Sequence, residues 1–252
     1  MQNAYTGFAE LYDLLMSDVD YHMWSAYLVR LMQTCADEQG VRTIADCACG
    51  TGNISVPLAE RGFAVTGSDI SADMLRVAQQ KAMMRGLRIP FVLQDMRGFS
   101  LHKSQDAVLA CCDGVNYLES LQDVSDFFGA AYRALRPGGL LLFDHSTLYK
   151  LEQVLGTHTY GEDLQECTYL WQNVYDPESR LLEMNLTFFL PDQNGLFRRF
   201  DESHVQRAHS VEELQKALED NGFSVEAMFD AFTTEAPADD SERIQWIARR
   251  LP

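Results

Sequence analysis

At 252 residues, with 46% hydrophobic and 23% charged residues, the chain is long enough to bury a large core as one α/β domain, with or without a small insertion. Its net charge of -17 repels phosphate backbones, so nucleic acid is not an expected partner; the compact basic pairs Arg198-Arg199 and Arg249-Arg250 read as solvated or ion-paired surface in strand segments. No apolar run approaches the roughly 20 residues of a membrane span, and Glu10, Asp13, Asp18 and Asp20 stand where a signal peptide would be basic, so a cytoplasmic protein without membrane association is expected.

The first segment, from Tyr5 to Trp24, is dense in aromatic residues and acids. From Tyr21 onward Trp24, Tyr27, Leu28, Leu31, Met32 and Cys35 recur at helical spacing, which predicts a helix with one buried stripe. Tyr5 and Tyr12 precede it in a less regular context and read either as a packed arm or as a lid.

Val41 to Cys47 is a short apolar run, as in a strand buried on both faces, and Gly50-Thr51-Gly52 ends it. Glycines there let backbone approach a ligand, and the helix starting near Asn53 directs its free N–H groups to the same place, which favours an anionic group. A second strand, Phe63 to Ser68, delivers Asp69 nineteen positions after Gly50, close to the spacing at which an acid meets ribose hydroxyls. Ser55 matches the third small residue of a dinucleotide fingerprint only in part, so the glycine pattern leaves the ligand open between nicotinamide and other ribose-bearing cofactors.

Ser71 caps a helix whose buried side is Met74, Leu75, Ala78 and Ala82 and which Gly86 can end. Strands follow at Ile89 to Leu93, Asp106 to Cys111 and Leu140 to Phe143, with a helix from Asp123 to Leu135 broken by Arg136-Pro137-Gly138-Gly139. Such alternation implies a parallel sheet covered on both faces, with ligands bound outside the strands' carboxyl ends. Gly50, Asp69, Asp95, Asp113 and His145 fall at that edge. The six cysteines lack the paired spacing of a zinc site and read as small buried hydrophobes, with no metal expected.

From Leu151 the pattern becomes an antiparallel meander: Thr168 to Tyr175, Leu181 to Leu190 and Leu196 to Val205, with Leu182, Met184, Leu186, Phe188 and Leu190 on one apolar face. That face is expected to press on the parent domain or on a partner subunit, which leaves a homodimer through this cap open. Ser210 and Glu213 form a capping box, and Phe223 to Phe232 and Arg243 to Arg249 are two closing strands. The expected division is 1–150 with 208–252 as one domain and 151–207 as an inserted β cap.

Four segments in order, Asp46-Cys47-Ala48-Cys49-Gly50-Thr51-Gly52, Gly67-Ser68-Asp69-Ile70-Ser71, Gln94-Asp95-Met96 and Leu135-Arg136-Pro137-Gly138-Gly139, resemble the class I S-adenosylmethionine-dependent methyltransferases. The resemblance implies a Rossmann-like, mostly parallel sheet of seven strands with helices on both faces. It places the methionine part of S-adenosylmethionine at Gly50 with Ala48 and Gly52 beside it, the ribose hydroxyls on Asp69, adenine between Ile70 and Met96, and its amino group on Asp95. Tyr5, Tyr12, Trp24, Met74 and Cys111 complete the implied cofactor contacts. The family's usual glycine is Ala48 here, a departure expected to alter the backbone approach.

The stretch from Tyr5 to Tyr12-Asp13 and the insertion are similar to the small-molecule branch, which includes glycine and amino-sugar N-methyltransferases. Tyr12, Asn116, Tyr117 and His145 are the candidates facing the methyl, and Tyr117, His145, His204 and Arg207 those facing a small-molecule acceptor. Tyr117 stands where some amino-sugar enzymes carry histidine, so a histidine base is not expected at that position. N- and O-methylation both stay open, as do RNA or protein methylation, a nicotinamide-dependent oxidoreductase, and a binding protein without turnover.

Overall fold

The computed structural model describes residues 8–192 and 194–252; Tyr5 lies outside them. Two helices come first, α1 (Ala9–Leu15) and α2 (Tyr21–Cys35), the second capped by Asp20, whose carboxylate accepts the Met23 N–H. Then follow β1 (Thr43–Cys47), α3 (Ser55–Glu60), β2 (Ala64–Asp69), α4 (Ala72–Met84), β3 (Phe91–Leu93), β4 (Gln105–Ala110), α5 (Leu121–Ala134) and β5 (Leu135–Ser146). Strands β6 (Thr159–Asp163), β7 (Thr168–Asp176), β8 (Leu181–Pro191) and β9 (Phe197–Arg207) precede α6 (Val211–Asp220), β10 (Phe223–Asp230) and β11 (Arg243–Arg250).

Seven strands form one sheet in the order β10-β11-β5-β4-β1-β2-β3, and β11 runs antiparallel to both its neighbours. The two closing strands therefore form a hairpin at the sheet edge. Apolar residues point to both faces, because helices cover both. One cluster joins α5 and α6 to Ala45, Val108, Phe143 and Trp246, and the other joins α2 and α3 to Ile44, Leu109, Leu142 and Ile247.

The fifth strand differs from its expected start at Leu140. It runs from Leu135, and Arg136-Pro137-Gly138-Gly139 is a bulge inside it, with pairing slipping from Gln105–Leu135 to Ala107–Leu140. Gly139 has to be glycine, since a Cβ would lie 2.9 Å from the Arg136 carbonyl oxygen and 3.0 Å from that of Asp106.

The second sheet, β6-β7-β8-β9, is antiparallel throughout. Its first strand adds to the three expected from the pattern: Thr-Tyr-Gly-Glu-Asp is exposed along its whole length and has no apolar alternation to betray it. Leu182, Met184, Leu186 and Phe188 turn to one face and pack with Phe8, Ala9, Met74, Leu151 and Ala208. That places α1 between the antiparallel sheet and α4, over the carboxyl edge of the parallel sheet. Among the described residues no helix is long and apolar enough to cross a membrane.

Candidate active site

The chain leaves β1 through a turn of left-handed residues, Ala48 at φ +52°, Gly50 at +54° and Gly52 at +78°. The two glycines serve different ends. A Cβ on Gly50 would meet nothing within 4 Å, whereas one on Gly52 would lie 3.1 Å from the Cβ of Ala78 in α4. Gly50 keeps an open side and Gly52 lets a helix close in. Asp69, at the end of β2, accepts the Gly50 N–H and the Ser71 N–H, both at 2.8 Å, so one carboxylate pins the glycine turn to the start of α4. Burial raises its pKa, against these two bonds that lower it.

Beneath the turn Asp46 accepts a 2.5 Å hydrogen bond from Ser55, and burial pushes its carboxyl up to about 7. Above the turn stands Asp13 of α1. One of its oxygens accepts from the Thr51 hydroxyl at 2.7 Å and the Asn53 amide at 3.0 Å, and the other pairs with Lys81 Nζ at 2.6 Å.

At the end of β4, Cys112 and Asp113 are two consecutive non-glycine residues in the left-handed region, at φ +60° and +62°. Asp144, wholly buried on β5, accepts both of their N–H groups, at 2.9 and 3.1 Å. Arg243 of β11 bridges Asp144 and Asp113, while Ser146 donates its hydroxyl to Asp113 at 2.8 Å. The Trp24 ring lies 5.3 Å from the guanidinium. Burial raises Asp144; Asp113, which burial would also raise, is held below its ordinary value by Arg243 and Lys150.

A family profile described as a methyltransferase domain matches residues 44–139, from β1 to the bulge in β5. YqeM of Bacillus subtilis (strain 168), which carries a provisional methyltransferase name, is 38% identical over 98% of this chain and 97% of its own length. The chain belongs to the S-adenosylmethionine-dependent methyltransferases. A solved S-adenosylmethionine-dependent methyltransferase from Clostridium acetobutylicum superposes with a TM-score of 0.87 at 29% identity, covering 98% of this chain and 99% of that one. A glycine/sarcosine N-methyltransferase of Aphanothece halophytica is 30% identical over 63% of this chain and 61% of its own length.

The methyltransferase's strand ends fit that cofactor. Gly50 opens onto free space, Asp69 has lone pairs beyond its two backbone bonds, and Ile70 and Leu93, 65% and 59% exposed, leave apolar surface uncovered beside the acids. Met96 is buried under the 3₁₀ turn that follows β3. Asp95, expected to take the adenine amine, is already occupied: Arg97 donates to both its oxygens, the shortest contact being 2.5 Å, and holds its carboxyl below the ordinary value.

Around the end of α1 the methyltransferase gathers rings. Phe8 meets Tyr12 edge-on at 5.7 Å and His204 at 5.6 Å, and His204 meets Tyr117 edge-on at 6.1 Å. Tyr12 is half-buried as a residue, but its hydroxyl lies deep, and burial followed by the nearby Cys112 raises its pKa well above 10. His204 belongs to a strand that reads as exposed; it is 5% exposed, on the inward face of β9, and burial lowers it to about 4.

Several expected site residues have other work. Asn116 is wholly buried: its amide donates to the carbonyls of Ser146 and Arg207, both at 2.9 Å, and accepts the Ser146 N–H at 2.8 Å. These bonds brace the turn. His145 accepts the Trp246 indole N–H at 3.0 Å inside the sheet, and burial lowers it to about 3. Arg207 spends its guanidinium on the Glu119 carbonyl at 3.2 Å and on Glu213 at 3.6 Å. Trp24 and Cys111 pack in the α2 cluster and Met74 in the cluster under the antiparallel sheet.

Asp13, Thr51, Asn53, Lys81, Asp144 and Arg243 join the site without having been marked as its residues by the sequence. Asp13 is visible there as the partner of Tyr12 in the dipeptide; Arg243 carries no signal, since its acids lie 99 and 130 positions away.

Proposed function

We propose that this methyltransferase acts on an amine nitrogen of a small molecule. The observation that carries the reading is the ring cluster of Phe8, Tyr12, Tyr117 and His204, in which Tyr12 and His204 are poor bases at neutral pH. The Tyr12 hydroxyl is pushed well above 10, and His204 is lowered to about 4. An alcohol or phenol needs its proton removed before or during attack, whereas an amine attacks through its lone pair once deprotonated in solution. A carboxylate would also arrive ready, but a chain of charge -17 disfavours it. The likeness to a glycine/sarcosine N-methyltransferase supports the same reading.

When bound, the cofactor supplies an electrophilic methyl on a sulfonium that leaves as a neutral thioether. The chain then has to hold the acceptor in line and exclude water. We assign the ribose hydroxyls to Asp69, the methionine part to the backbone at Gly50, and the adenine to the apolar surface of Ile70 and Leu93, with Asp95 at its rim. Tyr12, Tyr117 and His204 form the acceptor wall, where ring faces favour an amine and the cationic product. The packed antiparallel sheet and α1 restrict the site to small molecules.

The test is transfer of label from methyl-labelled S-adenosylmethionine into a cell extract, followed by a pH profile on the isolated acceptor. The label should enter the small-molecule fraction, in an N-methyl product, at a rate that rises with the amine's own deprotonation. Label in RNA or protein, or in an O-methyl product, would overturn the reading.

A further inference from the structure

The glycine turn carries two polar side chains, Thr51 and Asn53, that could have bonded within their own loop. Instead both point at α1, and four side chains from three segments close one network. Asp13 Oδ1 accepts from Thr51 at 2.7 Å and Asn53 at 3.0 Å; Asp13 Oδ2 pairs with Lys81 at 2.6 Å; Lys81 Nζ donates to Thr51 at 2.9 Å and to Asn53 Oδ1 at 2.5 Å. A charge is involved in each of these bonds, the stronger class of hydrogen bond.

The helix that carries Asp13 cannot hold itself. It has seven residues, no side-chain hydrogen bond at its N-cap and no basic residue in its last turn, far short of the length at which a helix is stable alone. Its seat comes from outside: Phe8 and Ala9 pack under the antiparallel sheet, and Asp13 is bound to the turn. The second tie to α4, Glu10 with Arg76, has side chains 71% and 46% exposed and adds little. By contrast Asp13 and Lys81 are 36% and 21% exposed, buried enough to hold and open enough to be released into solvent. A cleft of about 290 Å³, lined by Tyr21, Gly52, Asn53 and Lys81, borders the network and gives water that access.

We propose that Asp13 is a positioning residue for the cofactor: it seats α1 on the glycine turn, and cofactor exchange requires it to let go of Lys81, Thr51 and Asn53. Tyr12 is its neighbour on the same helical turn, so the release that frees the cofactor also withdraws Tyr12 from Tyr117 and His204. Exchange of cofactor and opening of the acceptor wall become one motion. The proposal rests on the placement of the cofactor at Gly50 and Asp69.

The probe is S-adenosylhomocysteine, whose association and dissociation with the full chain can be followed by stopped-flow without any acceptor. In Asp13→Asn and in Lys81→Gln both rates should rise together, dissociation by at least about tenfold, while Kd changes much less; a tenfold rate corresponds to the loss of one such charged contact. Hydrogen exchange at the Tyr12 and Met16 amides should quicken in the same variants. Because the two side chains share one network, the double variant should exceed either single one only slightly. Dissociation within twofold of the wild type, with only a lowered melting temperature, would show a plain structural staple and overturn the proposal; Lys81→Gln decides between these outcomes by itself should Asp13→Asn not fold. Asp69→Ala separates the two readings. Unchanged affinity in that variant removes the cofactor placement itself, whereas lost affinity beside normal exchange in Asp13→Asn removes only the role of Asp13.

Discussion

Ala48 is held at φ +52°, a conformation glycine adopts freely and alanine resists by about 1 kcal/mol. The neighbours impose this left-handed turn on the alanine. Cys49 donates its N–H to the Ser68 carbonyl and Asp69 fixes Gly50, so the residue between β1 and these anchors has no other path. Ala48→Gly is therefore expected to stabilise the fold by about 0.5–1 kcal/mol in urea unfolding, the relief of strain outweighing glycine's greater freedom when unfolded. Asp69 is a residue whose single carboxylate organises two backbone segments. Asp69→Ala should weaken S-adenosylhomocysteine binding by about 1–3 kcal/mol in calorimetry, the usual cost of a lost buried hydrogen-bonding partner.

At the scale of elements, the turn after β4 depends on β11, the last strand of the chain. Two adjacent left-handed residues, Cys112 and Asp113, would unwind unless Asp144 held their N–H groups, and Asp144 stays in place because Arg243 lies against it. Arg243→Met leaves two buried acids facing each other without the cation that bridges them, Lys150 acting only from nearby. It should cost about 3–5 kcal/mol in denaturant unfolding, with Arg243→Lys in between, since lysine restores the charge but not the two-pronged bridge. The bulge at Arg136-Pro137-Gly138-Gly139 is a second example of an element set by a distant partner: Arg136 pairs with Asp106 at 2.7 Å and Asp37 at 2.6 Å, and this holds the looped residues inside a strand.

Across the whole molecule, burial of histidine makes part of the stability sensitive to acid. His145 is lowered to about 3, and His204 and His209 to about 4, each from an unfolded value near 6.5. A group whose folded pKa is depressed contributes stability above its unfolded pKa and loses it as pH falls, because the unfolded chain binds the proton first. Three acids raised by burial, Asp46 to about 7 and with it Asp69 and Asp144, act the other way. The histidines' share of the stability should fall as pH drops from 6.5 toward 4.5, and it is read in the melting temperature of a variant that lacks one of them. His204→Phe, which keeps a ring beside Phe8 and Tyr117, should gain melting temperature relative to the wild type as pH drops over that range; an unchanged difference would show that His204 does not take up a proton on unfolding.

What the sequence determined by itself was whatever is encoded within one segment. The alternating strands and helices, the caps at Ser71 and Ser210, the apolar face of Leu182 to Phe188, and the ordered acids Asp69 and Asp95 are local patterns, and they were enough to reach the sheet, the family and its cofactor. The tertiary structure decided which polar side chains were still available at the strand ends. Asn116 and His145 have the right chemistry at the right edge, yet their hydrogen-bonding groups are consumed by Ser146, Arg207 and Trp246, residues 30 to 101 positions away. Asp13 and Arg243, which no local pattern marked, reach the site only because folding brings both ends of the chain onto the carboxyl edge of one sheet. A side chain's type is written in the sequence, but its partner is set by packing, and in a buried site the partner decides what the side chain can do.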